Sequence, residues 1–207
     1  HRAGVEAVRR AVEAAPALGV GTLTLYAFSS ANWERPACEV RELLGLLREY
    51  LCSQTAQCAA RGVRLGVIGR RDRLPAALRS AIAAAEAATA GGGTLHLRLA
   101  LDYSSRESIL RAARKAPCSG TLTAAAFERL LARAEGGAAP APAVDLLIRA
   151  GGERRLSDFL LWESAYAELI FTPTMWPDFA AADLEAAVRD YRGRERRFGG
   201  LPNRAAS

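Results

Sequence analysis

Lysine is almost absent from this chain of 207 residues: Lys115 is the only one, and arginine supplies nearly all the positive charge. Closely paired cysteines are missing too. Cys38, Cys52, Cys58 and Cys118 show none of the spacing of a zinc site, and a chain of this size folds without disulfides, so they read as reduced fillers of helix faces. No apolar run reaches the ~20 residues that a spanning helix needs; VGTLTLYAF at Val20 to Phe28 is among the longest. The first residues lack the basic-then-apolar layout of a signal peptide. There is no internal repeat, and a hydrophobic content of 50% argues against disorder. The default expectation is a soluble cytosolic protein of one domain, with enough chain for one well-buried core and too little for two.

What is present is basic charge, with a net +6 and an isoelectric point near 9.6. Such a balance fits nucleic acid, anionic lipid or phosphorylated substrates, and the abundance of arginine beside alanine also fits biased codon usage. The arginines are spread along helices and concentrated after strands. They are not gathered into a nucleic-acid-binding motif, so no nucleic-acid partner is expected.

Apolar spacing predicts helices at Gly4 to Ala15, Glu39 to Ala60, Pro75 to Thr89, Ser105 to Ala116, Ala124 to Ala134, around Asp158 to Ser164, and from about Ala181 to Arg197. Strands are predicted at Thr22 to Phe28, Val63 to Ile68, Thr94 to Leu101, Val144 to Ile148 and Glu168 to Phe171. In the third of these Leu95, Leu97, Leu99 and Leu101 share a face, which turns His96 and Arg98 to the other layer. Gly136 to Ala143 reads as a loop inside the domain. Strands alternating with helices predict an α/β fold, a mainly parallel central sheet flanked by helices.

Ligands of open parallel sheets sit beyond the carboxyl ends of the strands, so the polar segments after strands are the candidates for chemistry. One is YAFSSANWERP, Tyr26 to Pro36, where hydroxyls, an amide, an indole and an arginine precede a helix opened after proline. The other is IRAGGERRLSDF, Ile148 to Phe159. There Arg149, Arg155 and Ser157 offer the forked donors and hydroxyl that suit a diphosphate, and Gly151 and Gly152 would let backbone approach it. A helix starting near Ser157 would add amide donors. Surface charges around an ordinary glycine turn would give the same pattern.

Together with RERRFGG (Arg194 to Gly200), LTLYAFSSANWERP and DLLIRAGGERRLSDFLLWESAYAELIFTPTMWPDF resemble the signature blocks of cis-prenyltransferases of the undecaprenyl diphosphate synthase kind, in order and in spacing, from His1 to Gly200. The resemblance implies an enzyme that extends an allylic diphosphate, such as farnesyl diphosphate, with isopentenyl diphosphate. It implies that His1 closes a first phosphate-binding segment, that Ser29 and Asn32 help to place isopentenyl diphosphate and assist removal of its proton, with Ser30 also binding substrate, and that Trp33 and Arg35 shape and charge the site. Arg149, Arg155 and Ser157 would clamp isopentenyl diphosphate, and Glu168 would help to hold Mg2+. It further implies a homodimer, in which the Arg194 to Gly200 region reaches the neighbouring active site. Product would leave at the membrane surface, which gives a cytoplasmic protein with a peripheral place at the inner membrane face. A hydrocarbon tunnel would run between the sheet and the helices Glu39 to Ala60 and Pro75 to Thr89. Ala27 is small where short-chain members are bulky, which favours a long product.

The chain departs from the family at three places. The family's opening strand and DGNGRW-like aspartate loop have no counterpart here, and the expectation is that the molecule carries them ahead of His1. Ala31 stands where an acidic residue is usual, and Asp102 with Ser104 and Ser105 replaces NYGGR around Tyr103 and Arg106. The missing aspartate loop leaves one alternative open, a non-catalytic partner subunit of a prenyltransferase complex.

Overall fold

The computed structural model describes residues 2–137 and 139–195. His1 and most of the RERRFGG segment lie outside them, so the readings placed on them have no structural counterpart here.

The chain opens with helix α1 (Arg2–Ala14) and enters strand β1 (Thr22–Ser29). Parallel neighbours need crossover connections, and two helices supply them. Helix α2 (Ala37–Ala60) leads to β2 (Val63–Ile68), and α3 (Ala76–Ala88) leads to β3 (Leu95–Tyr103). Both helices start directly after a proline, Pro36 and Pro75, whose fixed φ and missing N–H suit a helix entrance. The strand order is β1-β3-β2, all parallel, with Leu23 beside Leu97 and Leu65 on the other side of it. As the central strand, β3 is covered on both faces, and Leu95, Leu97, Leu99 and Leu101 are each at most 2% exposed. Leu51 of α2 and Leu78 and Ile82 of α3 close the core over this sheet.

The chain continues through α4 (Ser105–Ala113) and α5 (Ala124–Ala134) into β4 (Leu146–Ala150), β5 (Glu168–Thr172) and α6 (Ala181–Gly193). β4 and β5 pair in parallel as a second sheet, Arg149 beside Phe171. Every strand pairing is thus parallel, as expected, but in two sheets of three and two strands. β1 and β4 do not pair. They line opposite sides of a cavity of about 600 Å³, through Thr22 to Leu25 and Leu146 to Ala150.

The helix expected around Asp158 to Ser164 is absent. Residues 157–166 form turns, with Ser157, Asp158 and Leu160 at φ values of 50°, 63° and 46°. No α-helix admits left-handed residues at that spacing. Asp158 is drawn away to the start of α4, where its Oδ1 accepts from the Arg106 amide at 2.8 Å and its Oδ2 from the Ser104 hydroxyl at 2.5 Å.

Candidate active site

Both polar segments emerge at the carboxyl ends of strands, one after β1 and one after β4. After β1 the chain turns through a short 3-10 segment, Ser30–Glu34. The Ser29 amide donates to Asn32 Oδ1 at 2.9 Å, which fixes the turn and leaves the Asn32 amide nitrogen as the donor available to a ligand. The Ser30 hydroxyl points elsewhere and donates to Asp102 at 3.0 Å. Trp33 packs edge-on against Phe28, ring centres 5.4 Å apart, and Arg35 pairs with Glu39 at 2.7 Å on the first turn of α2.

After β4, Gly151 and Gly152 adopt φ values of 101° and 85°, open to glycine, and reverse the chain so that Arg155 and Ser157 return beside Arg149. Arg149 Nη1 donates to the Ser157 hydroxyl at 2.6 Å and to the Arg155 carbonyl at 2.9 Å. Glu153, which the sequence pattern does not single out, lies between the arginines, 3.3 Å from Arg149 and 3.4 Å from Arg155. The hydrogen bond from Arg149 holds the Glu153 carboxyl below the usual glutamate range. Its only signal in the sequence was its place between two glycines and two arginines.

The two segments meet in one cavity of about 620 Å³. Ser29, Asn32, Arg149, Arg155 and Ser157 form its polar end. Val5 and Val8 of α1, Leu43, Leu46, Leu47 and Tyr50 of α2, and Ala27 of β1 give it an apolar lining. Helix α3, expected as a second wall, supplies none of the lining residues: it packs beside α2 and on β2, and α1 lines the cavity together with α2. Ser30, Trp33 and Arg35 do not line the cavity.

Glu168 stands apart. It begins β5 beside Leu146, three positions before the Arg149–Phe171 pair, or roughly 10 Å along the strand at ~3.3 Å per residue. Arg194 donates to its Oε2 at 2.8 Å. A divalent cation wants several oxygen ligands. Among the described residues no group of three carboxylate, histidine or cysteine side chains is placed to hold one, so these residues alone do not fit a magnesium site.

A family model described as "Putative undecaprenyl diphosphate synthase" matches residues 1–199. The chain belongs to this prenyltransferase family. It is 60% identical over 201 residues to isoprenyl transferase 1 of Bradyrhizobium diazoefficiens, a match covering 97% of this chain and 80% of that protein. Lavandulyl diphosphate synthase from Lavandula x intermedia, solved with dimethylallyl diphosphate, superposes with a TM-score of 0.87 at 35% identity, over 96% of this chain and 87% of that one. A structure described as a probable undecaprenyl diphosphate synthase from Campylobacter jejuni gives 0.80 at 30% identity, over 96% and 93%. This chain therefore shares its α/β frame with these two solved structures.

Proposed function

We propose that the protein condenses isopentenyl diphosphate with an allylic diphosphate, farnesyl diphosphate being the first candidate, and builds a cis-polyprenyl diphosphate that serves as precursor of a lipid carrier. The observation that carries this reading is the single cavity with forked arginines and hydroxyls at one end and aliphatic side chains at the other. A prenyl diphosphate has the same two-part chemistry.

Arg149 and Arg155 pair with diphosphate oxygens, with the Ser157 hydroxyl as a further donor. As the allylic C–O bond breaks, the leaving diphosphate takes the electron pair, and fixed positive charge at that end favours the charge it gains. The terminal alkene carbon of isopentenyl diphosphate bonds to the allylic carbon, and the carbon on the diphosphate side of the resulting tertiary cation loses its proton to a diphosphate oxygen, which gives the cis double bond. Asn32 donates, through the amide nitrogen its turn leaves unused, to a diphosphate oxygen of isopentenyl diphosphate and so holds the carbon that loses the proton in place. The aliphatic lining excludes water from the cation and takes up the lengthening chain.

Magnesium dependence belongs to this reading as a requirement to be tested, with Glu168 as its proposed contributor. A homodimer, a cytoplasmic location and release of product at the inner membrane face belong to it as well. Among the described residues no helix is long and apolar enough to cross a membrane. The test is incubation of the full-length protein with farnesyl diphosphate and labelled isopentenyl diphosphate, with magnesium or with a chelator, products being resolved by chain length. Labelled polyprenyl products that vanish with the chelator are expected. Folded protein that makes none with any allylic primer overturns the reading, and activity that appears only with a second homologous chain assigns a partner-subunit role.

A further inference from the structure

Asp102 is buried, at 1% exposure, near the carboxyl end of β3, and its backbone is held at a φ of 48°. A non-glycine residue keeps that conformation only where its surroundings over-determine it. Three sets of contacts do so. The Asp102 carbonyl accepts from the Arg70 amide at 3.2 Å, beyond the end of β2. Its carboxylate takes both arms of Arg73, Nε at 2.8 Å on Oδ2 and Nη2 on Oδ1. Oδ1 also accepts the Ser30 hydroxyl, from the turn after β1, at 3.0 Å. In the order β1-β3-β2 the middle strand is the one whose end can reach both neighbours, and Asp102 does so with one carboxylate.

The chain of contact continues to the cavity. The Arg73 guanidinium lies over the Trp33 ring, 5.4 Å from its centre. Ser30 and Trp33 are thus both fixed from outside the cavity, while Ser29 and Asn32 of the same turn line it. With Ala31 at its centre the turn has no acidic side chain before Glu34, and the carboxylate around which it folds comes from β3.

We propose that Asp102 is the positioning residue of the Ser29–Trp33 turn, setting through Ser30 and the Arg73–Trp33 stack where Ser29 and Asn32 meet the substrate. The kinetic half of this statement rests on the proposed function; the conformational half does not.

Both halves are tested in the full-length protein with Asp102→Asn, which keeps size and turn preference but removes the charge. Ser30→Ala removes one contact without touching β3, in case the first variant does not fold. Amide hydrogen exchange of the peptide spanning residues 29–35 is expected to quicken about tenfold in either variant, with the β3 peptide unchanged. Asp72→Asn, which breaks only the nearby exposed Arg70–Asp72 pair, is expected to leave that peptide as it was. In Asp102→Asn the KM for isopentenyl diphosphate rises about tenfold while kcat changes less than about threefold. Unchanged exchange at residues 29–35 overturns the inference even where polyprenyl products are made. Absence of product from the unaltered protein overturns the functional reading, and the exchange data then still decide the role of Asp102.

Discussion

Arg149 is held in place before any ligand arrives. Its Nη1 is fixed between a carbonyl and the Ser157 hydroxyl, and Nη2 faces Glu153, a carboxylate that an anionic substrate can displace. A donor fork already ordered loses little further freedom on binding, so its contacts are retained as affinity. Hydrogen bonds to charged groups are worth roughly 1.5–3 kcal/mol each. Arg149→Ala is therefore expected to lower kcat/KM for isopentenyl diphosphate by ~100-fold or more, in steady-state assays at saturating allylic primer. Arg149→Lys keeps the charge, loses the fork, and should recover only part of this. These residues were legible because forked donors and glycines directly after an apolar strand form a local pattern. Glu153 and Arg73 were not, since a charged side chain in a polar loop looks the same whether it faces water or a neighbouring strand end.

At the scale of elements, the segment after Ser157 shows where local pattern loses to tertiary contact. FLLW has helical apolar spacing, yet Asp158 is worth more as an acceptor for the Arg106 amide and the Ser104 hydroxyl at the start of α4, where Ser104 is the N-cap, than as the first turn of a helix of its own. Removing a cap costs about 1 kcal/mol, and a charged partner adds to this. Asp158→Asn, whose amide nitrogen cannot accept from Ser104 or Arg106, is expected to lower stability by ~1–2 kcal/mol in urea unfolding. It should also raise the KM for isopentenyl diphosphate, because Ser157 is the adjoining residue. Strands and crossover helices were read within a few residues of their ends, because period and proline entrances are properties of the chain alone. β4 starts at Leu146 and not Val144, since Val144 gives its amide to the Glu163 carbonyl in the turn segment.

The end of α5 carries a second consequence. Glu135 is 2% exposed, and Arg98 of β3 approaches it only to 3.7 Å. Burial and the like charge of Glu163 outweigh that arginine and push the Glu135 carboxyl up to about 7. One Glu135 oxygen and the Tyr103 and Ser164 hydroxyls are buried without a partner among the described residues. A protonated carboxyl, which is a donor, suits such company better than an anion. Since the folded value lies above the unfolded one, this group's share of stability is complete below the ordinary glutamate range and is lost as pH rises towards 7. His96 acts in the opposite sense, being pushed down to about 4 chiefly by burial, with the charge of Arg64 adding to it. Comparison with Glu135→Gln separates the two. Between pH 5 and pH 8 the unaltered protein should lose roughly 2 kcal/mol relative to the variant in chemical denaturation, because a proton bound only in the folded state weighs ~1.4 kcal/mol for each tenfold fall in proton concentration. Parallel curves would show that Glu135 is ionised throughout.

For the molecule as a whole, what could not be read from the sequence was which helix covers which face. The leucines of α2 are equally apolar whether they meet α3 or an open cavity, and a one-dimensional pattern does not distinguish them. In three dimensions α3 packs beside α2 and on β2 without lining the cavity, and α1 and α2 both line the cavity that holds Arg149. If the growing hydrocarbon occupies this space, the side chains along it limit how far elongation proceeds. Leu47 is suited to test this, because it lines the cavity from α2, on a different element from Arg149, Arg155 and Ser157, the proposed diphosphate contacts. Leu47→Trp adds bulk without a charge, and its cost to the core is bounded by the open volume beside it, below the ~1–3 kcal/mol typical of overpacking. Product analysis at fixed primer and excess isopentenyl diphosphate should then show shorter chains, with the rate of the first addition within about twofold of the unaltered protein because the diphosphate contacts are intact. An unchanged length distribution from an active variant would mean that the chain grows along another path, with the slot between β1 and β4 the next to block.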